Sequence, residues 1–151
     1  MLGTISTIPL AGGPARVWSS ASALAPTGFL GVNGVKVRGG AVWATNLDQG
    51  TLLRIPLRQG HPGSIEVRAT GLVGIDDFAF TGDGQVIAAL NAPNTVVGID
   101  GTGHTRTLLT AADGLQNPTS VAVAGHTVLV ASAAYTTSTD PNLIVATLRH
   151  R

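Results

Sequence analysis

The sequence predicts an all-β chain, a β-propeller fragment of about three four-stranded antiparallel blades. Three observations predict it. The first is a repeat at a spacing of 43 residues without a gap: Gly28-Phe29-Leu30-Gly31-Val32-Asn33, Gly71-Leu72-Val73-Gly74-Ile75-Asp76 and Gly114-Leu115-Gln116-Asn117-Pro118-Thr119. Each copy continues into alternating apolar residues (Val35 and Val37, Phe78 and Phe80, Val121 and Val123) and closes on Gly39, Gly82 or Gly125. A period in this range marks a stacked supersecondary unit rather than one irregular core. The second observation is composition: 20 glycines and 8 prolines, with few Lys and Glu, suit turns and strands better than helices. The third is that no window of helical length holds a clean 3.6-residue period.

The elements follow in order. In the first complete unit, residues 35–37, 41–45, 51–57 and 65–69 read as strands, separated by Arg38-Gly39-Gly40, Asp48-Gln49-Gly50 and a Gly/Pro loop over residues 59–64. Four short strands joined by Gly-containing turns make an antiparallel meander. The second unit repeats the plan at residues 78–80, 86–90, 95–99 and 105–109, and the third at 121–123, 128–132 and 143–148. Gly3-Thr4-Ile5-Ser6-Thr7-Ile8-Pro9-Leu10 mirrors Gly50-Thr51-Leu52-Leu53-Arg54-Ile55-Pro56-Leu57, so the opening residues read as a third and a fourth strand. The expected divisions are residues 1–20 for the end of a blade, 33–70 and 76–110 for two blades, and 119–148 for an incomplete last blade. Closed propellers use about 4–8 blades, so the chain is expected to form about half of one.

Composition excludes several classes. Hydrophobic residues make up 44% of the chain and charged residues 11%, which supports a buried core and excludes a disordered tail. A net charge of +1 with scattered basic residues gives no nucleic-acid surface. The longest apolar stretch, residues 121–135, is interrupted by Gly125, His126 and Thr127 and is too short to span a bilayer. No secretory leader is visible, so a soluble protein is expected. Without cysteine there is no disulfide and no thiolate metal site.

Residues at equivalent points of a repeated blade recur around a common axis, which singles out Asn33, Asp76 and Thr119. Asn33 and Asp76 read as immediately preceding an innermost strand, where residues of adjacent blades face one another across the channel. Their amide and carboxylate oxygens suit a hard divalent cation, and a bound cation polarises a lactone carbonyl. Two side chains alone would hold Ca²⁺ weakly, since it takes about 6–8 oxygens. The competing reading is that both residues bond turn backbones. Chain direction brings Asn46, Asp48, Asn91 and Asn94 to the same mouth, and Asn46 and Asn91 are the candidate substrate-binding residues, matching polyol hydroxyls. Ordinary hairpin chemistry is the alternative for each. Asp76 is the candidate catalytic residue. Asp77 beside it offers a second carboxylate, since paired carboxylates shift each other's pKa, or it is an outward-facing turn residue. His61, His104, His126 and His150 lack metal-ligand spacing and receive no role. Trp18, Trp43, Phe78 and Phe80 are expected in the cores between blades.

Several runs carry a family resemblance: Gly31-Val32-Asn33-Gly34-Val35-Lys36-Val37, Trp43-Ala44-Thr45-Asn46 and Leu52-Leu53-Arg54-Ile55-Pro56. Ile75-Asp76-Asp77-Phe78-Ala79, Gly82-Asp83-Gly84, Pro118-Thr119-Ser120 and Val128-Leu129-Val130-Ala131-Ser132 extend it. The chain resembles the C-terminal half of the gluconolactonase and senescence-marker-protein (regucalcin) superfamily of six-bladed propellers. Strictosidine-synthase-like and NHL-type propellers share the blade pattern, whereas the Trp-Asp dipeptide of WD repeats is absent. The resemblance implies one divalent cation (Ca, Mg, Mn or Zn) at the top of the channel. It carries an Asn-Gly ligand on to Asn33 and a Pro-Asp-Gly ligand on to Asp76, with Ile75 replacing the proline and Asp77 the glycine. The family's ligand Glu has no counterpart here.

Two functions are therefore expected. In a complete propeller the chain implies metal-dependent hydrolysis of a sugar lactone or similar small molecule. By itself it implies a non-enzymatic segment for binding or scaffolding. Two open blade faces also imply a homodimer that completes the ring.

Overall fold

The computed structural model describes residues 3–148, and His150 lies outside them. A strand pair, β1 (Ile5–Thr7) and β2 (Arg16–Ser19), opens the chain. A 3-10 turn at Ser22–Leu24 leads to the first large sheet. That sheet runs β3 (Val32–Arg38), β4 (Ala41–Asn46), β5 (Thr51–Arg58) and β7 (Glu66–Ala69), and the two-residue β6 (His61–Pro62) folds back on the end of β5. The second sheet is β8 (Ile75–Phe80), β9 (Val86–Leu90), β10 (Thr95–Ile99) and β11 (Thr105–Leu109). The third is β12 (Pro118–Ala124), β13 (Thr127–Ser132) and β14 (Asn142–Thr147). All strand pairings among the described residues are antiparallel, and the only helical elements among them are two 3-10 turns.

Successive side chains of a strand point to opposite faces, so a sheet between two others buries apolar residues on both faces and a sheet with one neighbour on one. Three cores result. Leu24, Val42, Ala44, Leu53 and Ile55 pack between the opening pair and the first sheet, with Trp18 against them. Leu52, Leu72, Ile75, Phe78, Val97 and Ile99 fill the space between the first and second sheets. There Trp43 and Phe78 each meet Phe80 edge-on, with ring centroids 5.2 and 5.6 Å apart. Ile87, Ala89, Val96, Leu115, Val121, Val128 and Val130 form the third core, between the second and third sheets. Trp18, Trp43, Phe78 and Phe80 thus sit between sheets.

The inner strands β3, β8 and β12 lie side by side, with β8 touching both others. They begin earlier than the sequence suggests. Asn33 and Asp76 lie within β3 and β8 rather than just before them, and Thr119 lies within β12. The reason is a register shift repeated in all three strands, between Val32 and Val35, Ile75 and Phe78, and Pro118 and Ser120. Such a bulge re-aims side chains out of the pleat. In sequence, Asn33-Gly34 and Asp76-Asp77 have the composition of a turn.

Candidate functional site

The repeated bulge brings Asn33 and Asp76 together. The Asn33 side-chain amide donates to Asp76 Oδ1 at 2.5 Å. Thr45 on β4 fixes the same junction: its hydroxyl donates to the Asp76 main-chain oxygen at 2.8 Å and accepts the Gly34 N–H at 2.8 Å. Gly34 is required by this close approach, because a Cβ there would stand 2.8 Å from Asp76 O and 3.0 Å from Thr45 Oγ1.

Asp77 points to a different set of partners. Its carboxylate pairs with Lys36 Nζ at 2.7 Å and accepts from Ser120 Oγ at 3.1 Å, so it ties all three inner strands together. Among the described residues Asp76 has no such cation. Burial pushes its carboxyl above the usual range, the Asn33 hydrogen bond opposes this, and the neighbouring Asp77 charge adds to it.

Asp76 lines a cavity of about 220 Å³ with Leu30, Leu47, Asn91, Phe29 and Tyr135. Phe29 precedes β3 and Tyr135 follows β13, and both rings are exposed, at 79% and 70%. Asn91 follows β9. Its Nδ2 is buried and has no hydrogen-bond partner among the described residues, while its main-chain oxygen accepts from Asn117 Nδ2 at 3.3 Å. The cavity therefore offers a half-buried carboxyl and two exposed rings, with Asn91 in its lining.

Asn117 holds the Tyr135 loop. Its Oδ1 accepts from Thr136 N at 3.0 Å and Thr136 Oγ1 at 2.7 Å. It occupies the repeat position of Gly31 and Gly74 at a φ of 54°, a left-handed conformation that asparagine tolerates. Sequence reasoning missed Phe29, Tyr135 and Asn117. Asn117 alone had a signal, as a polar residue in a glycine position of the repeat.

The other expected mouth residues are occupied inside the fold. Asn46 is fully buried, and its amide donates to Ala23 O at 3.0 Å and Ala25 O at 2.9 Å while its oxygen accepts from Gln49 N. Asp48 accepts the N–H groups of Thr27, Gly28 and Leu30 at 2.8–3.0 Å. These bonds, Leu30's foremost, hold its carboxyl below the usual range. Asn94 donates to Leu115 O and accepts from Asn117 N. Thr119 Oγ1 donates within its own sheet to Ala131 O at 3.4 Å.

As arranged, these side chains do not by themselves fit a divalent cation. The Asn33 amide presents a donor to Asp76, and the two residues together offer at most about three oxygens against the 6–8 that Ca²⁺ takes. No cluster of three or more His, Cys, Asp or Glu suited to a metal occurs among the described residues.

No family model matches the sequence, and no curated protein matches it. Solved structures do. A chain of the nidogen/laminin complex is 16% identical with a TM-score of 0.71, over 97% of this chain and 52% of that one. Regucalcin from Agrobacterium tumefaciens, a calcium-binding protein, is 19% identical with a TM-score of 0.64, over 88% and 45%. The fold is that of a β-propeller. Streptogramin B lyase matches 99% of the chain and 49% of its own at a TM-score of 0.60 and 12% identity. The chain thus spans about half the length of these three propellers. The computationally designed Ika4 protein, at 16% identity and a TM-score of 0.59, is matched over 81% of its length. No helix among the described residues is long and apolar enough to cross a membrane.

Proposed function

We propose that the chain supplies one wall of a small-molecule site at the mouth of a propeller channel, and that its ligand is a hydroxylated ring such as a sugar lactone. The observation that carries this reading is that Asp76 lines one cavity with Asn91, whose buried Nδ2 has no partner among the described residues. A buried donor without an acceptor costs about 1–3 kcal/mol, and a ligand oxygen placed there removes that cost. Asp76 accepts from a ring hydroxyl as a carboxylate and donates to a ring oxygen when protonated. Phe29 and Tyr135 present flat apolar surfaces to the ring's C–H face.

In a complete propeller the same carboxylate supports lactone hydrolysis. Water bonds to the carbonyl carbon, the ring ester C–O bond breaks, Asp76 takes the proton from water, and the departing ring oxygen receives it. The likeness to a calcium-binding propeller supports a second reading, with Asn33 and Asp76 as two ligands of a divalent cation. It requires Asn33 to turn its amide oxygen toward Asp76 and further oxygens from outside the described residues.

Initial rates of glucono-lactone hydrolysis above the spontaneous rate, with and without Ca²⁺, Mn²⁺ or Zn²⁺, test the enzymatic part. Binding without turnover supports the binding module alone. A metal-dependent rate lost in Asn33→Ala and Asp76→Asn supports the cation reading. Neither binding nor turnover overturns both.

A further inference from the structure

We infer that the cavity at Asp76 selects a hydroxylated ring that also carries a protonated amine. The inference rests on the ligand site proposed above and names the chemical class that the site takes. Two independent observations carry it: the charge at this end of the fold, and the rings beside the carboxylate.

The strands run between two ends, and hydrogen bonds gather the connections of one end around the cavity. Asp48 N donates to Leu30 O at 3.1 Å, Gly74 N to Leu47 O at 3.0 Å, Asn91 N to Gly74 O at 2.8 Å and Ala134 N to Gln116 O at 2.8 Å. Residues 20–33, 47–50, 70–76, 91–94, 110–119 and 133–141 make up this end. They contain Asp48, Asp76, Asp113 and Asp140 and no Lys, Arg or His. The connections of the opposite end, residues 38–40, 58–64, 81–85, 100–104 and 125–126, contain Arg38, Arg58, His61, His104 and His126 beside Asp83 and Asp100. A mouth lined by charges of one sign concentrates ligands of the other.

The carboxylate in the cavity is not neutralised from within the fold. Lys36 is engaged by Asp77 at 2.7 Å, and no cation among the described residues pairs with Asp76 or Asp48. Asp48 follows Leu47 and accepts from Leu30 N at 3.0 Å, so a second carboxylate stands behind the Leu30 and Leu47 wall of the cavity. Burying a carboxylate without a partner is costly, and a ligand ammonium offsets that cost with a charge-assisted hydrogen bond. Phe29 and Tyr135 fit the same group, since an ammonium is drawn to the faces of aromatic rings. A divalent metal ion gains nothing from the rings and finds too few oxygens beside them.

The test titrates the 151-residue chain at neutral pH in EDTA with trans-4-aminocyclohexanol, its neutral counterpart trans-1,4-cyclohexanediol, and 1,5-anhydroglucitol. Binding of the amine at least about tenfold tighter than the diol supports the inference. So does a fall of that preference to roughly twofold or less in folded Asp76→Asn protein. Tyr135→Leu removes a ring that is 70% exposed and should lower the preference by about threefold; it decides the matter if Asp76→Asn does not fold. Equal binding of amine and diol, a preference that these variants leave intact, or one that appears only when Ca²⁺ replaces EDTA overturns the inference. In each of those cases saturable binding of 1,5-anhydroglucitol leaves the ligand site standing, whereas no binding of any of these compounds overturns both.

Discussion

The second and third sheets come from the same repeat, yet they bury their residues differently. In the second sheet every residue of β9, Val-Ile-Ala-Ala-Leu, is buried, and so are four of the five residues of β10. In the third, β13 alternates between buried and half-buried, and β14 between half-buried and exposed. Leu143 and Val145 are 65% and 66% exposed. Their side chains are as apolar as those of β10. The difference is that the second sheet has a neighbour on each face and the third has one. At the other end Val35 and Val37 of β3, on the face away from the second sheet, are 42% and 71% exposed. Burial in a stacked fold belongs to the stack, and a single strand's pattern reports only how many neighbours it has.

Removing the largest side chain of the doubly covered region should have the largest effect. Phe78 is fully buried between the first and second sheets, and Phe78→Ala should lower stability by about 3–5 kcal/mol. The paired substitutions Leu143→Thr and Val145→Thr on the open face should each change it by no more than about 0.5 kcal/mol. Urea denaturation followed by Trp fluorescence measures both. A cost at Leu143 or Val145 close to that at Phe78 would show that the open face is covered in solution.

The two asparagines that the repeat suggests for ligand contact sharpen the comparison. Asn46→Ala should cost roughly 1–3 kcal/mol, because it strips partners from the Ala23 and Ala25 carbonyls and from Gln49 N. Asn91→Ala removes a side-chain amide nitrogen that bonds nothing and leaves the main-chain oxygen used by Asn117 in place. It should not lower the denaturation midpoint while weakening ligand binding. Gly34→Ala should cost about 1–3 kcal/mol and move Asp76 away from Asn33, seen as a shift of the Asn33 side-chain amide resonances.

The smallest effect is in pH dependence. Asp76 has a raised carboxyl pKa, so its contribution is most favourable in acid and is lost as pH rises through its folded value. Asp48, Asp83 and Asp100 are lowered by hydrogen bonds, so theirs is present above the ordinary carboxyl range and lost as pH falls through their folded values. The stability of wild type minus that of Asp76→Asn should therefore decrease as pH rises across the carboxylate range. Denaturation midpoints at a series of pH values measure it, and a difference that grows with pH contradicts the burial of Asp76.

The fold was legible because the 43-residue repeat and the alternation of Val35 and Val37, Phe78 and Phe80, and Val121 and Val123 are both one-dimensional signals. The nearness of Asn33 and Asp76 was legible for the same reason, since equivalent positions of adjacent blades must be neighbours. The bulge was not, because Asn33-Gly34 has the composition of a turn and only the pairing of Val35 with Ala44 places it inside a strand. The different occupations of Asn46 and Asn91 were also hidden. Asn46 ends the second strand of its sheet and Asn91 follows that of the next, and what separates them is the Ser22–Leu24 turn, which lies against one and has no counterpart at the other. Tyr135 reaches the cavity through a loop after β13 that no other unit repeats, so periodicity carried no information about it.

The most direct test of the binding site is a titration with 1,5-anhydroglucitol, a cyclic polyol that cannot hydrolyse, followed by NMR of the Asn91 side-chain amide and the Tyr135 ring. Both sets of resonances should shift together and saturate with a Kd of about 1 mM, equivalent to roughly 4 kcal/mol. Asp76→Asn should weaken the response and Asn91→Ala should weaken it without loss of stability. Shifts that are absent, that fail to saturate, or that persist unchanged in Asn91→Ala would contradict a ligand site at this mouth.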